Sequence, residues 1–233
     1  MTEAEWLGAK FADPLLEFIE PTVSDRKLHY YAIACARRIT PLLTHPSSLD
    51  GIDVLEQFAE GKCSAEHLEK LKWHIEGAAY CVESGYAPWL DVLTQLTESM
   101  WLEIIEYPTE IIGDPRSIIT YAAYYIDGIV SRVPRERQRP IPTHYGLFRP
   151  VWLVYEIFGN PFRRVKFKSK WRSETVLSLA HQMYDSKNFS AMPILADALE
   201  DSDCDSEDLL NHCRGPGPHV RGCWAVDAIL TKK

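Results

Sequence analysis

Apolar residues recur along this chain with the period of a helix. Leu28, Tyr31, Ala32, Cys35, Ile39, Leu42 and Leu43 fall three or four apart and draw a single stripe. Ser24 and Asp25 are side chains able to cap such a helix, and Pro41 must end or bend it. The stretch "SSLDGIDVLEQFAEG" predicts a shorter helix stopping near Gly61. Ser64 caps a third, striped by Leu68, Leu71, Ile75, Ala78, Ala79 and Val82 and stopped by Gly85. Pro88 opens another, with Trp89, Leu93, Leu96 and Met100 on a shared face. Asp114-Pro115 starts one more, striped by Ile119, Ala122, Ala123, Ile126 and Val130.

The periodicity fails over "RVPRERQRPIPTHYGLF", which holds three Pro and four Arg, so residues 132–149 are expected to be a linker or long loop. Helical patterning resumes with "PVWLVYEIF" after Pro150. Next, "RRVKFKSKW" alternates basic and apolar residues, which predicts an extended connector or one short strand over 163–168. Ser173 caps "ETVLSLAHQMYD", Ser190 precedes "AMPILADALED", and Asp205 or Ser206 caps "EDLLNHC". Gly217-Pro218 is expected to open the last helix, "HVRGCWAVDAIL". The expected fold is all-α, an irregular bundle or stack of about eight to ten antiparallel helices. Its divisions are an N-terminal bundle over 1–131, the linker, and a C-terminal helical region over 150–233, the whole able to pack as one body.

Two stretches share wording with a known family. They are "TEAEWL…DPLLEFI…SDRKLHYYAIACARRI" and "IFGNPFRRV…LAHQMYD…MPILADALEDSDCDSEDLLNHCRGPGPHVRGCWAVDAIL". Over residues 2–60 and 150–231 the chain resembles a paralogous family of planctomycete, Gemmata-like bacteria. That resemblance implies a bacterial cytoplasmic protein and assigns no activity, cofactor or catalytic residue.

Composition narrows the class further. No apolar run approaches the ~18 residues of a membrane span, and "MTEAEWLGAK" lacks the basic and apolar regions of a secretory signal. Three of the six Cys fall inside apolar helical patterns, as buried thiols of a reducing compartment do. The net charge of −8 conceals an asymmetry. Residues 132–172 carry eleven Lys and Arg against two acids, and the rest carries 14 against 31. This band includes Arg135, Arg137, Arg139, Arg163, Arg164, Lys166, Lys168 and Lys170. Interleaved Tyr145, Phe167 and Trp171 make nucleic-acid binding a third functional reading. The competing reading is that the band grips the acidic part of its own chain.

The densest chemistry lies in "NHCRGPGPHVRGCWAVD". His212, Cys213, His219 and Cys223 place four nitrogen or sulfur donors within twelve residues. Structural zinc uses such ligands as two close pairs. Here one pair is adjacent, and helix neighbours point about 100° apart, so these four are a metal candidate of irregular spacing. No cofactor is expected. His219, Cys223 and Asp227 would share one helix face, but catalytic triads converge from separate elements, so no catalytic residue is assigned. A helix N-terminus at Gly217, flanked by Arg214, His219 and Arg221, would suit an anion, either a ligand or the protein's own acidic stretch "EDSDCDSED". In that stretch Asp201, Asp203, Asp205 and Glu207 imitate a calcium loop. Ser206 and His212 stand where the loop needs Gly and Glu. Glu98, Glu103, Glu106 and Glu110 are expected to be an acidic helix face.

The expected function is a non-catalytic helical module that binds another protein, as adaptor, scaffold or immunity-like inhibitor. An enzyme or small-ligand binder using Arg214, His219 and Arg221 is the alternative. No membrane partner is expected.

Overall fold

A computed structural model describes residues 1–43, 45–83 and 150–232. Among them are ten α-helices and no strand, so the all-α expectation holds. The helices are α1 Glu3–Leu7, α2 Ala12–Ile19, α3 Asp25–Arg38, α4 Pro46–Ala59 and α5 Ala65–Glu83. They continue with α6 Val151–Phe158, α7 Glu174–Ser186, α8 Met192–Asp201, α9 Glu207–Arg214 and α10 Trp224–Leu230. Residues 163–168 carry no regular structure; a short 3₁₀ turn at Ser169–Trp171 follows them. The alternation there is thus an extended connector, not a strand. The helices expected after Pro88 and Asp114, the acidic face Glu98–Glu110, the linker over 132–149, and Arg135, Arg137 and Arg139 lie outside the described residues. No described helix is long and apolar enough to cross a membrane.

Local signals set most helix ends. Thr2 and Glu5 form a reciprocal capping box on α1. The Ser173 hydroxyl accepts from the Val176 N–H, and the Ser206 hydroxyl from the Leu209 N–H, which starts α7 and α9. Pro193 sits in the first turn of α8, where its missing N–H costs no helical bond. Gly159, at φ +69°, stops α6 in a conformation that a Cβ would strain, and a Cβ there would also approach the Trp224 ring to 3.1 Å.

Helix α3 is the central strut. The predicted stripe covers only part of what it buries: Tyr30, Ile33, Ala34 and Ala36 are buried as well. It packs on α4 and α6, α4 packs on α5, and α2 packs on α6. These helices enclose one apolar cluster that includes Trp6, Leu15, Ile39, Leu55 and Ile75. Leu153, Val154 and Ile157 of α6 belong to it and are fully buried, each such side chain contributing roughly 2 kcal/mol. A second cluster joins α7, α8, α9 and α10 around Trp171, Met183, Leu199, Leu209 and Ile229. Helices α6 and α10 touch, so the seam between the clusters runs beside them. The last carbonyls of α10 are answered from outside the helix: Arg172 donates to Ile229 O and Ala228 O, both at 2.9 Å.

Candidate functional site

The loop after α9 does not become a helix where the sequence suggests. Pro216 and Pro218 have no N–H, and Gly217 and Gly222 take φ of +69° and +93°. A helical ladder cannot run through them. Helix α10 therefore begins at Trp224, with Cys223 at its cap, and not at Gly217-Pro218. His219, Cys223 and Asp227 consequently do not share a helix face. His219 lies in the loop, Cys223 at the cap, and Asp227 turns to α3.

This arrangement carries His219 and Cys223 to α6. The Glu156 carboxylate, 6% exposed, accepts the Val220 N–H at 3.2 Å and lies 3.1 Å from Nδ1 of His219. Nε2 of His212 lies 3.4 Å from the same carboxylate and 3.1 Å from Sγ of Cys223. One donor atom from each of Glu156, His212, His219 and Cys223 falls within 4.8 Å of all the others. Three of the four metal candidates thus come together. The fourth partner is Glu156 and not Cys213, which is fully buried in the second apolar cluster. On α9 only one of two adjacent residues can face α6, and His212 does. Glu156 was visible in the sequence as the lone acid of the apolar run "VWLVYEIF".

At His212 and Cys223 the surroundings favour the neutral forms. The Trp224 indole N–H donates to Nδ1 of His212 at 3.2 Å, so in the neutral ring the proton sits on Nε2 and points toward Cys223 and Glu156. Burial lowers the His212 pKa to about 4, with the Glu156 charge opposing and His219 reinforcing that shift. Burial first, and then the Glu156 charge, push the Cys223 thiol well above its ordinary value. A buried neutral thiol is a poor nucleophile, so the Cys223–His212 contact does not constitute a catalytic pair.

Three carboxylates are buried among the described residues, and Glu156 differs from the other two. Glu56 accepts from Arg37 at 2.8 Å and from Lys187 and Arg221 at 2.7 Å each. Asp227 accepts from Arg26 at 2.8 Å and Lys27 at 2.7 Å. Glu60, lining the same seam, is met by Tyr30 at 2.6 Å, Lys232 at 2.9 Å, Arg26 at 3.2 Å and the Tyr184 hydroxyl. Glu156, along with Ser48 the only buried polar side chain left, meets no Lys or Arg among the described residues. Nε2 of His219 is buried and has no hydrogen-bond partner.

His212 and Trp224 also form part of the floor of a cleft of about 470 Å³. Trp6, Tyr155 and Phe158 wall it, and Arg163 and Arg164 stand at one side. Outside, Phe18 stacks on Phe162 with centroids 5.7 Å apart, and both are exposed. The buried Trp6 ring lies 6.3 Å from Phe18 and backs it from the core.

The expected anion-binding group is dispersed. Arg214 turns to Glu200 at 2.5 Å and Asp197 at 3.4 Å, His219 to Glu156, and Arg221 to Glu56. Gly217 lies in the loop and heads no helix. The described part of the basic band meets the acidic stretch: Lys168 pairs with Asp205, Lys170 with Asp203 at 3.7 Å, and Arg163 with Glu3 at 2.7 Å and Asp208 at 3.9 Å. Arg164 and Lys166 are exposed. Comparison of the chain with protein-family models, curated proteins and solved structures yields no match in any of the three.

Proposed function

We propose that this chain is a non-catalytic helical binding module that takes a segment of a partner protein in the cleft between α1, α2 and α6. The observation that carries this reading is the cleft itself, apolar within, basic at one side and continuous with the exposed Phe18–Phe162 stack. Exposed aromatic surface of this kind costs solubility unless a partner covers it. The occupant that fits is a segment presenting an apolar side chain to Leu7 and Tyr155 and an acidic group to Arg164. Charge complementarity would then set register and on-rate more than affinity. The buried, neutral Cys223 supports a role in binding over one in catalysis.

Leu7 and Arg164 line the cleft and face solvent, Leu7 at 59% exposure, so both are replaceable without disturbing the core. Affinity capture from native lysate should retain one stoichiometric partner on the wild-type chain and lose it on Leu7→Glu and on Arg164→Glu. Retention that ignores both substitutions, or no stoichiometric partner, overturns the reading.

A further inference from the structure

We propose that Glu156, His212, His219 and Cys223 form a binding site for one divalent transition-metal ion, zinc in first place. This inference is independent of the cleft's occupant.

The donor geometry is close to that of a four-ligand site. Ligand bonds of about 2.0–2.3 Å in a tetrahedron put donor atoms about 3.3–3.8 Å apart. The contacts between His212 and Cys223, His212 and Glu156, and His219 and Glu156 measure 3.1, 3.4 and 3.1 Å. An ion would spread the two 3.1 Å contacts by a few tenths of an ångström, and every remaining donor pair lies within 4.8 Å. The donors come from α6, α9, the loop and the α10 cap, so they converge in space as real metal ligands do.

Charge points the same way. Burying a carboxylate without a counter-charge is costly. Glu56, Glu60 and Asp227 are each met by at least two Lys or Arg side chains, whereas among the described residues Glu156 is met by two imidazoles and the Val220 N–H. A doubly charged ion supplies what is missing. When it binds, the Cys223 thiol releases its proton to solvent, and thiolate plus carboxylate balance the two positive charges. A ligand set of one sulfur, two nitrogens and one oxygen suits a borderline-soft ion and discriminates against calcium and magnesium, which prefer oxygen. Four protein ligands leave no open position, which is the pattern of a structural site.

Trp224 adds a specific expectation. Nε2 of His212 can bind a metal only if its proton moves to Nδ1, and there it meets the indole N–H now 3.2 Å away. Two donors cannot face each other, so loading requires the indole to turn. Ligating histidines normally give that proton to an acceptor. Trp224 therefore opposes the metal, and its ring lines the cleft through which an ion would arrive.

The test uses the full chain, stripped with a chelator and titrated with Zn²⁺ against a chromophoric competitor, then with Co²⁺. The expected result is one equivalent bound at sub-micromolar affinity. Cobalt should give tetrahedral d–d bands with a near-ultraviolet sulfur-to-cobalt band. Cys223→Ser should abolish the sulfur band and weaken zinc at least about 100-fold, while Cys213→Ser should change neither. Trp224→Phe should tighten zinc about tenfold. Less than a tenth of an equivalent of either ion, or a sulfur band lost in Cys213→Ser and kept in Cys223→Ser, overturns the proposal. Should Cys223→Ser not fold, the wild-type cobalt spectrum decides alone, because tetrahedral sulfur ligation is then either present or absent.

Discussion

Arg26 on α3 donates to Asp227 on α10 at 2.8 Å, across 201 positions of sequence. The guanidinium also reaches the Tyr184 hydroxyl at 2.7 Å and Glu60 at 3.2 Å, and lies 4.6 Å over the Tyr30 ring. Lys27 joins from the next position, giving one ammonium bond to Asp227 at 2.7 Å and others to Ile157 O at 3.0 Å and Gly222 O at 2.6 Å. The seam between the two apolar clusters is therefore ionic and fully partnered at this point.

Removing one side of that arrangement strands the other. Asp227 is 1% exposed, so Asp227→Ala leaves Arg26 and Lys27 facing each other in a largely dry seam. Breaking a buried pair in this way costs about 3–5 kcal/mol. Urea unfolding at neutral pH should show that loss as a lowered midpoint. A loss below about 1 kcal/mol would mean that water already reaches the pair.

Acid should loosen the same seam through Glu60. Burial raises the pKa of this carboxyl, but hydrogen bonds from Tyr184, Tyr30 and Lys232 outweigh it and hold the group at about 2, against 4.5 when unfolded. The folded value is depressed, so the stabilisation is complete above pH 4.5 and is lost as pH falls toward 2. Between those limits wild-type stability should fall more steeply with acid than that of Glu60→Gln. Equal slopes in denaturant melts across pH 5 to 2 would refute the assignment.

The loop requires glycine at position 222. Its φ is +93°, and a Cβ built there would lie 2.6 Å from Cβ of Tyr30. Backbone strain alone costs about 1–3 kcal/mol, and the collision with a buried aromatic adds to it. Gly222→Ala should lower the midpoint of thermal unfolding by several degrees, whereas Gly77→Ala, with open space around its Cβ, should not lower it.

The basic band should prove a poor nucleic-acid ligand while its acids are in place. Lys168, Lys170 and Arg163 already face Asp205, Asp203 and Asp208. Heparin retention at ~150 mM salt should be slight, since few phosphates can be neutralised. The double variant Asp203→Asn, Asp205→Asn should elute later. Strong retention of the wild type, or no shift in the variant, would contradict this internal pairing.

The all-α architecture was legible because helix periodicity and capping chemistry are local. Ser173, Ser206, Pro193 and Gly159 act on their own turns, and the structure shows each doing so. The surroundings of α3 were less legible. Tyr31, Cys35 and Ile39 of its stripe are buried and Leu28 is only half-buried, yet Tyr30, Ile33 and Ala34 are buried because α4 and α6 flank it from other sides, and no local pattern announces a neighbour. Within the donor cluster, His212, His219 and Cys223 were close enough in sequence to be considered together. Glu156, 56 residues before His212, could enter only through tertiary packing, although its isolation among apolar residues was a usable signal. The start of α10 was misplaced because Gly-Pro read as a helix opening, when a second glycine at 222 and the contact with Tyr30 keep the chain in a loop.

The α3–α10 pairing also has a dimension in time. Synthesis at about 5–20 residues per second separates Arg26 from Asp227 by about 10–40 s. During that interval Arg26 and Lys27 exist without Asp227, and the seam they are meant to close stays open to solvent. A nascent chain cannot complete this part of its charge balance from its first helices alone. A chain ending before residue 227 would lack both this counter-charge and Ile229 of the second apolar cluster, leaving that cluster open on the α10 side.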